Sequence, residues 1–313
     1  MISDIAKSAC KLWNLNHNSI VLCAKRENYV YKVLDNNNAS FALRIHRKGY
    51  NSEAELISEI KWILELRKNK QNVPNPITSL NKNLLENVEG YNVSLLGWVN
   101  GVPMSEISYN NDDSEFEHFR LLGNSLAVIH TISDNWKKPE KFVRKIWDLD
   151  GLLGTNPVWD KFWENPLLKK NEKEIMIEAR KKAFNQLLPL KNLLDYGLIH
   201  ADAVMENVLI DKGKVNILDF DDSGFGYRLF DLSTILFSYE ENKNYKIIKE
   251  HLLKGYLEKR KIDLHYLNTF MLLRAFTYVG WIISRINEEN GIKKNKKNIR
   301  LALKHSESFL EKN

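Results

Sequence analysis

The sequence predicts an α+β fold in which a small antiparallel β-rich lobe precedes a larger, mainly helical one. Three observations carry this. Residues 19–24, 28–34 and 40–46 are short runs rich in Val, Ile, Tyr and Phe, the composition of strands, and Asp35-Asn36-Asn37-Asn38 between the last two is turn chemistry. Ser52 and Glu55 form a capping box ahead of Leu56, Ile60, Ile63 and Leu64 at helical spacing, which predicts a helix ending before Pro74. Two further strands, 84–88 and 91–96, flank Glu89-Gly90, giving about five strands and one helix. Residues 97–101 read as a linker. Beyond Asp112 the pattern is helical, apart from one strand pair, 208–210 and 215–220, around Lys212-Gly213. The division expected is residues 1–97 as the β-rich lobe and 98–313 as the helical lobe.

The composition excludes several classes of function. The chain has 313 residues, 43% of them hydrophobic and 27% charged, as in a globular protein large enough for a sizeable core. The net charge of +6 is spread among many acids, and the run Lys293-Lys294-Asn295-Lys296-Lys297 reads as a solvated helix or loop end, so no nucleic-acid partner is expected. Cys10 and Cys23 lie in no zinc-like grouping and read as reduced thiols. No basic-then-apolar leader opens the chain, and the apolar stretch 270–286 is broken by Arg274 and Arg285, so it reads as a buried helix rather than a membrane span. A cytoplasmic protein without a membrane partner is expected, and its oligomeric state is not legible.

The chemistry sits in residues 199–222. If Lys212 and Gly213 are the two central residues of a hairpin turn, Asp211 faces Lys214, and counting back places Asn207 opposite Leu218. Asn207 and Asp219 then emerge at the same end of the ribbon. An amide oxygen and a carboxylate are hard ligands of the kind Mg²⁺ accepts while bridging to phosphates. Asp202, five residues before Asn207, is placed to orient a hydroxyl and take its proton. These three residue types in this order point to phosphoryl transfer.

His200-x-Asp202-x-x-x-x-Asn207 followed by Asp219-Phe220-Asp221 resembles the aminoglycoside phosphotransferase and choline kinase superfamily, and in particular its bacterial branch of type II homoserine kinase-like proteins. Gly224-Phe225-Gly226, Asp231-Leu232, Phe41-Ala42-Leu43-Arg44-Ile45-His46-Arg47, Leu96-Gly97-Trp98 and Leu122-Gly123-x-x-Leu126-Ala127-x-x-His130 are similar to family segments in family order, over nearly the whole chain. The resemblance implies a two-lobed protein-kinase-like fold and an ATP-dependent kinase, with GTP as an alternative donor and Mg²⁺ as cofactor. It implies Asp202 as catalytic base, Asn207 and Asp219 as metal ligands, adenine contacts from the backbone of Leu96 to Trp98, and Asp231 as an anchor for the catalytic loop.

Two departures stand out. Arg44 occupies the position of the usual phosphate-holding lysine, with Glu59, on the apolar stripe of its helix, as expected partner. Arginine offers a planar fork in place of a point charge. The loop 24–29 has no glycine, so Lys25 and Arg26 are the candidates for compensating charge. His200 and His130 read as ordering and core residues. Arg274 and Trp281, seven residues apart on one helix face, are candidates for an acceptor pocket, as are Asp160, Glu164, Glu172 and Glu174 for attracting a cationic acceptor. The acceptor expected is a hydroxyl on an amino alcohol, amino acid, sugar or aminoglycoside. The alternatives are a Ser/Thr protein kinase and a pseudokinase serving as a binding module.

Overall fold

The computed structural model describes residues 2–25, 28–109 and 113–311; Arg26, of the glycine-free loop, and Asp112 lie outside them. Among the described residues the strands are β1 Leu15–Lys25, β2 Asn28–Asp35, β3 Ser40–His46, β4 Pro76–Ile77, β5 Glu86–Val88, β6 Tyr91–Gly97, β7 Val102–Pro103, β8 Lys145–Trp147, β9 Tyr196–Ile199, β10 Val208–Asp211, β11 Lys214–Ile217 and β12 Gly224–Tyr227. The helices are α1 Ile2–Cys10, α2 Glu53–Lys68, α3 Glu117–Asn135, α4 Leu149–Leu153, α5 Lys170–Leu187, α6 Arg228–Ser238, α7 Tyr245–Leu257, α8 Leu267–Trp281 and α9 Gly291–Glu311. The chain divides into two compact units: Met1–Ile107 with Thr131–Arg144 and Glu206–Asp222, and Ser108–His130 with Lys145–Met205 and Ser223–Asn313.

The first unit is built on an antiparallel sheet in the order β1-β2-β3-β6-β4, with β5 also on β6. The turn expected at 35–38 forms: the Asp35 carboxylate accepts from the backbone N–H of Asn37 and Ala39, both at 2.8 Å, and Asn38 takes a φ of 62°. Between β5 and β6, Glu89 and Gly90 have φ of 52° and 78°, the left-handed pair that suits a two-residue hairpin. Ser52 caps α2 as expected, its hydroxyl accepting from Glu55 N–H while the Glu55 carboxylate accepts from Ser52 N–H. One expectation needs correction, because the sheet carries two helices in this part of the chain, not one. Ile2, Ile5, Ala6 and Ala9 share a face of α1 and pack on Tyr31, Val33, Leu43, Ile45, Val93 and Leu95.

A second small sheet in this unit has the order β11-β10-β7. The expected linker runs between two strands: its first residue, Gly97, ends β6, and just beyond it Val102 and Pro103 pair with Ile210 and Leu209. β11 stops at Ile217 rather than reaching Phe220, because Asp219 turns left-handed with φ 59°.

The second unit is mainly helical but holds a further sheet that the sequence pattern does not reveal, ordered β8-β12-β9. These strands have only three or four residues, too few to show alternation. The stretch 270–286, read as a buried helix, is α8 as far as Trp281, with Arg274 among its buried residues, and then tightens into a 3-10 turn over Ile283–Arg285. Helices α3 and α7 meet backbone to backbone. A Cβ on Gly123 would lie 2.1 Å from Leu252 O, and one on Gly255 would lie 1.9 Å from Arg120 O. Cys10 is buried and Cys23 exposed, and both are free thiols. No helix among the described residues is long and apolar enough to cross a membrane.

Candidate active site

The β10–β11 hairpin has the register the sequence implies. Asp211 pairs with Lys214 and Val208 with Ile217, Lys212 and Gly213 take φ of 48° and 75°, and Leu218 N–H donates to Asn207 O at 2.8 Å. Asn207 and Asp219 therefore flank the last rung of one ladder. Beyond it the chain is pinned. Phe220 is fully buried and meets Trp62 of α2 edge-on, with ring centroids 5.2 Å apart. Arg144 Nη2 donates to Phe220 O at 2.8 Å and Asp221 O at 2.7 Å, while its Nη1 donates to Glu55 O at 2.8 Å. The left-handed Asp219, an uncommon conformation outside glycine, is thus held from both sides.

Arg44 is placed by the ladder of β3, opposite Val30 on β2 and Ser94 on β6. Its pairing with Glu59 forms, with Nη1 donating to Oε1 at 2.7 Å. A second partner was not expected: Nη2 donates to Asp221 Oδ1 at 2.5 Å, and Asn28 donates to the other Asp221 oxygen. Arg44 and Asp221 are 5% and 2% exposed and Glu59 is fully buried, so Arg44 bridges two buried carboxylates, and Arg144 Nη1 lies 4.0 Å from the other oxygen of Glu59. Burial works against the charge on Arg44, but Glu59, Asp221 and Asp219 outweigh it and hold the guanidinium above its ordinary pKa. Tyr50 OH donates to Asp222 Oδ1 at 2.6 Å. Leu96 pairs with Ala42 and Pro76, and Trp98 N–H donates to Ser40 O at 3.2 Å while Lys32 lies over its indole.

In the second unit, β9 leads into the loop that carries Asp202. Asp231, in the first turn of α6, organises this loop: its Oδ1 accepts from Ala201 N–H at 2.7 Å and its Oδ2 from His200 N–H at 2.8 Å. Ala201 is left-handed, with φ 64°. His130 Nε2 lies 3.0 Å from the same Oδ2 and Nδ1 lies 2.8 Å from Tyr256 OH. Burial and nearby Arg228 depress the His130 pKa to about 4. The imidazole is therefore neutral at pH 7, donating from Nε2 to Asp231 and accepting from Tyr256. Burial pushes the Asp231 carboxyl up, but hydrogen bonds from His130 and the His200 backbone prevail and lower it. Asp202 N–H donates to His200 Nδ1 at 3.3 Å.

Asp202 has a partner that sequence reasoning assigned elsewhere. Arg274 Nη2 donates to Asp202 Oδ1 at 2.8 Å and to Tyr278 OH at 2.9 Å, and Nη1 donates to Ala201 O at 3.1 Å. Trp281, its expected companion, instead stacks with Arg285, whose guanidinium carbon lies 4.4 Å from the ring centre. Asp160, Glu164 and Glu174 are exposed and Glu172 is half-buried. Neither Arg144 nor the Arg274–Asp202 contact leaves a periodic or spacing signal, because each joins segments more than seventy residues apart.

The family model described as "Phosphotransferase enzyme family" matches residues 21–265. Amicoumacin kinase of Bacillus subtilis (strain 168) is 26% identical over 298 residues, covering 88% of this chain and 83% of its own. A solved structure of the microcompartment-associated aminopropanol kinase is similar at a TM-score of 0.85 and 25% identity, covering 98% of this chain and 97% of that one. An amicoumacin kinase in complex with AMP-PNP, Ca²⁺ and Ami has the same fold, at a TM-score of 0.80 and 19% identity over 97% and 93% of the two chains. The expected kinase-like fold is borne out, and the protein-kinase and binding-module readings are not favoured. With well over half its length matched by the model, the chain belongs to the phosphotransferase enzyme family and is a small-molecule kinase.

Proposed function

We propose that this kinase moves the γ-phosphoryl group of ATP to a hydroxyl of a small amine-bearing acceptor, with Asp202 as catalytic base and Asn207 and Asp219 as ligands of a magnesium ion. The acceptor's O–H bond breaks toward the Asp202 carboxylate as its oxygen bonds to the γ-phosphorus, and the bond to the β-phosphate oxygen breaks to release ADP. The observation that carries this reading is the Asp202 loop itself. Its backbone is fixed by Asp231, and its carboxylate faces a guanidinium that cannot give up its proton.

The donor set fits the metal. An amide oxygen and a carboxylate are hard ligands, and Asp219 is presented from a backbone pinned on both sides. A bound magnesium ion supplies neutralisation of charge on the nucleotide phosphates. Residues 1–97 form the nucleotide-binding lobe in this reading, with the backbone from Leu96 to Trp98 toward adenine and the Arg44–Glu59 pair toward the phosphates. The bonds to Glu59 and Asp221 use two of the five N–H donors of Arg44, which leaves capacity for a phosphate oxygen. The name of the aminopropanol kinase favours an amine-bearing acceptor.

The test is Mg²⁺-dependent ATP consumption across amino alcohols, aminoglycosides, amino acids and sugars, with Asp202→Asn as control. Turnover with one acceptor class should fall about 10³-fold or more in the variant while thermal shift by MgATP persists. Undiminished turnover in Asp202→Asn would sink the assignment of the base.

A further inference from the structure

Arg274 is an unusual residue to find where it is. It lies in the middle of α8 with no solvent exposure. Its guanidinium carbon sits 4.2 Å from the Tyr278 ring centre, 5.0 Å from that of Trp159 and 5.5 Å from that of Phe230. Aromatic faces attract a cation but do not neutralise it, and a guanidinium stays charged when buried. Among the described residues Asp202 is the carboxylate paired with Arg274, and its side chain is 24% exposed. The buried cation thus hangs on a carboxylate that also meets solvent. Tyr278 OH and Ala201 O complete the contacts of the two terminal nitrogens, so the guanidinium grips the side chain of Asp202 and the backbone one residue before it.

We propose that Arg274 is the positioning residue for the base of this kinase: by holding Oδ1 of Asp202 and the carbonyl one residue before it, it fixes where the ionised carboxylate meets the acceptor hydroxyl. The inference rests on the reading of Asp202 as base and deepens it. Pairing with a buried cation favours the ionised carboxylate, and a carboxylate held at one oxygen cannot swing away from the acceptor. The grip also carries a cost for the proton transfer, because a protonated Asp202 strands the charge of Arg274 among aromatic rings. The proton should therefore leave the acceptor late, as the bond to phosphorus forms. Groups facing the pair are Tyr278 on α8, His200 in the loop, and Asp231 of α6 behind His200.

The experiment compares Arg274→Lys, Arg274→Met, Asp202→Asn and the double variants that combine Asp202→Asn with Arg274→Met or with Arg274→Lys, all in the full chain. Turnover of ATP with 1-amino-2-propanol as probe should fall about 100-fold in kcat for Arg274→Met, the scale of a misplaced reacting group. The nucleotide KM should stay within about twofold, and Arg274→Lys should recover about tenfold of the loss. A purely structural role would not divide kcat from KM in this way. In thermal melts Asp202→Asn should lower Tm by about 5 °C, and the same change should cost about 1 °C or less once Arg274 is Met. A kcat in Arg274→Met within about threefold of the parent overturns the proposal. If Asp202→Asn keeps its turnover, the base assignment fails on its own account, and the melts still judge the pair. Should 1-amino-2-propanol not be turned over, or Arg274→Met not fold, the melts of Asp202→Asn and Arg274→Lys decide. No Tm loss from Asp202→Asn in either the Arg or the Lys background overturns the proposal; a loss in the Arg background, alone or shared with Lys, supports it.

Discussion

The two units hold their candidate catalytic segments by different means. In the first, the segment after Asp219 is tied by ion pairs, Asp221 to Arg44 and Arg44 to Glu59, and by hydrogen bonds from Arg144 to the carbonyls of Phe220 and Asp221. In the second, the Asp202 loop is tied by main-chain N–H groups on one fully buried carboxylate, with a neutral histidine as its third donor. The first device places two carboxylates on Arg44, with Arg144 also 4.0 Å from Glu59, so Arg44 retains a partner when one is lost. In the second, three donors share one carboxylate, and Arg274, which also holds the loop, is itself a donor and offers them no acceptor. A shared network tolerates the loss of a member better than a hub does.

The sharpest way to break this comparison is Asp231→Ala. It leaves the N–H groups of His200 and Ala201 and the Nε2–H of His130 buried without their acceptor, and it should cost about 4 kcal/mol. Chemical denaturation checks the magnitude, and activity should be lost with the loop. Acid is a gentler probe of the same hub. His130 is folded with a pKa near 4 against about 6.5 unfolded, so the unfolded chain binds the extra proton between these values. Its contribution is complete above about pH 6.5 and is lost as pH falls toward 4, up to about 3 kcal/mol. His46 on β3, whose pKa burial and Arg44 depress to about 3, adds a loss of the same sign. Melts from pH 8 to 4 should show stability falling below about pH 6.5, and replacing His130 with Gln should flatten part of that fall. The smallest effect is expected in the ion-paired network. Glu59→Gln leaves Arg44 with Asp221 and should cost about 2 kcal/mol, roughly half the cost of Asp231→Ala. Equal costs for the two would erase the distinction between network and hub.

Most of this was legible where chemistry is local. The register of β10–β11 follows from Lys212-Gly213 alone, because a two-residue turn fixes every later pair. The α2 cap follows from Ser52 and Glu55. The Arg44–Glu59 pair was accessible because a carboxylate on an apolar stripe demands a partner. What escaped reading has no local signature. α1 shows its spacing at Ile2, Ile5, Ala6 and Ala9, yet nine residues are too few to compete with the strand signals that follow. The sheet of β8, β9 and β12 joins strands scattered along the chain. Arg144 and the grip of Arg274 on Asp202 depend on tertiary placement of side chains whose sequence neighbours are unremarkable.

The crossing of α3 and α7 at Gly123 and Gly255 has a mechanical meaning. With main chain against main chain, no side chain is present to act as a cushion, so the two helices rest on a hard stop rather than on a deformable layer. His130 lies seven residues beyond Gly123 on the same face, about 10.5 Å along the axis, and its partner Tyr256 follows Gly255 directly. The stop therefore works as a gauge: it sets how far His130 reaches, and through Asp231 it sets the height of the Asp202 loop by the thickness of two polypeptide backbones.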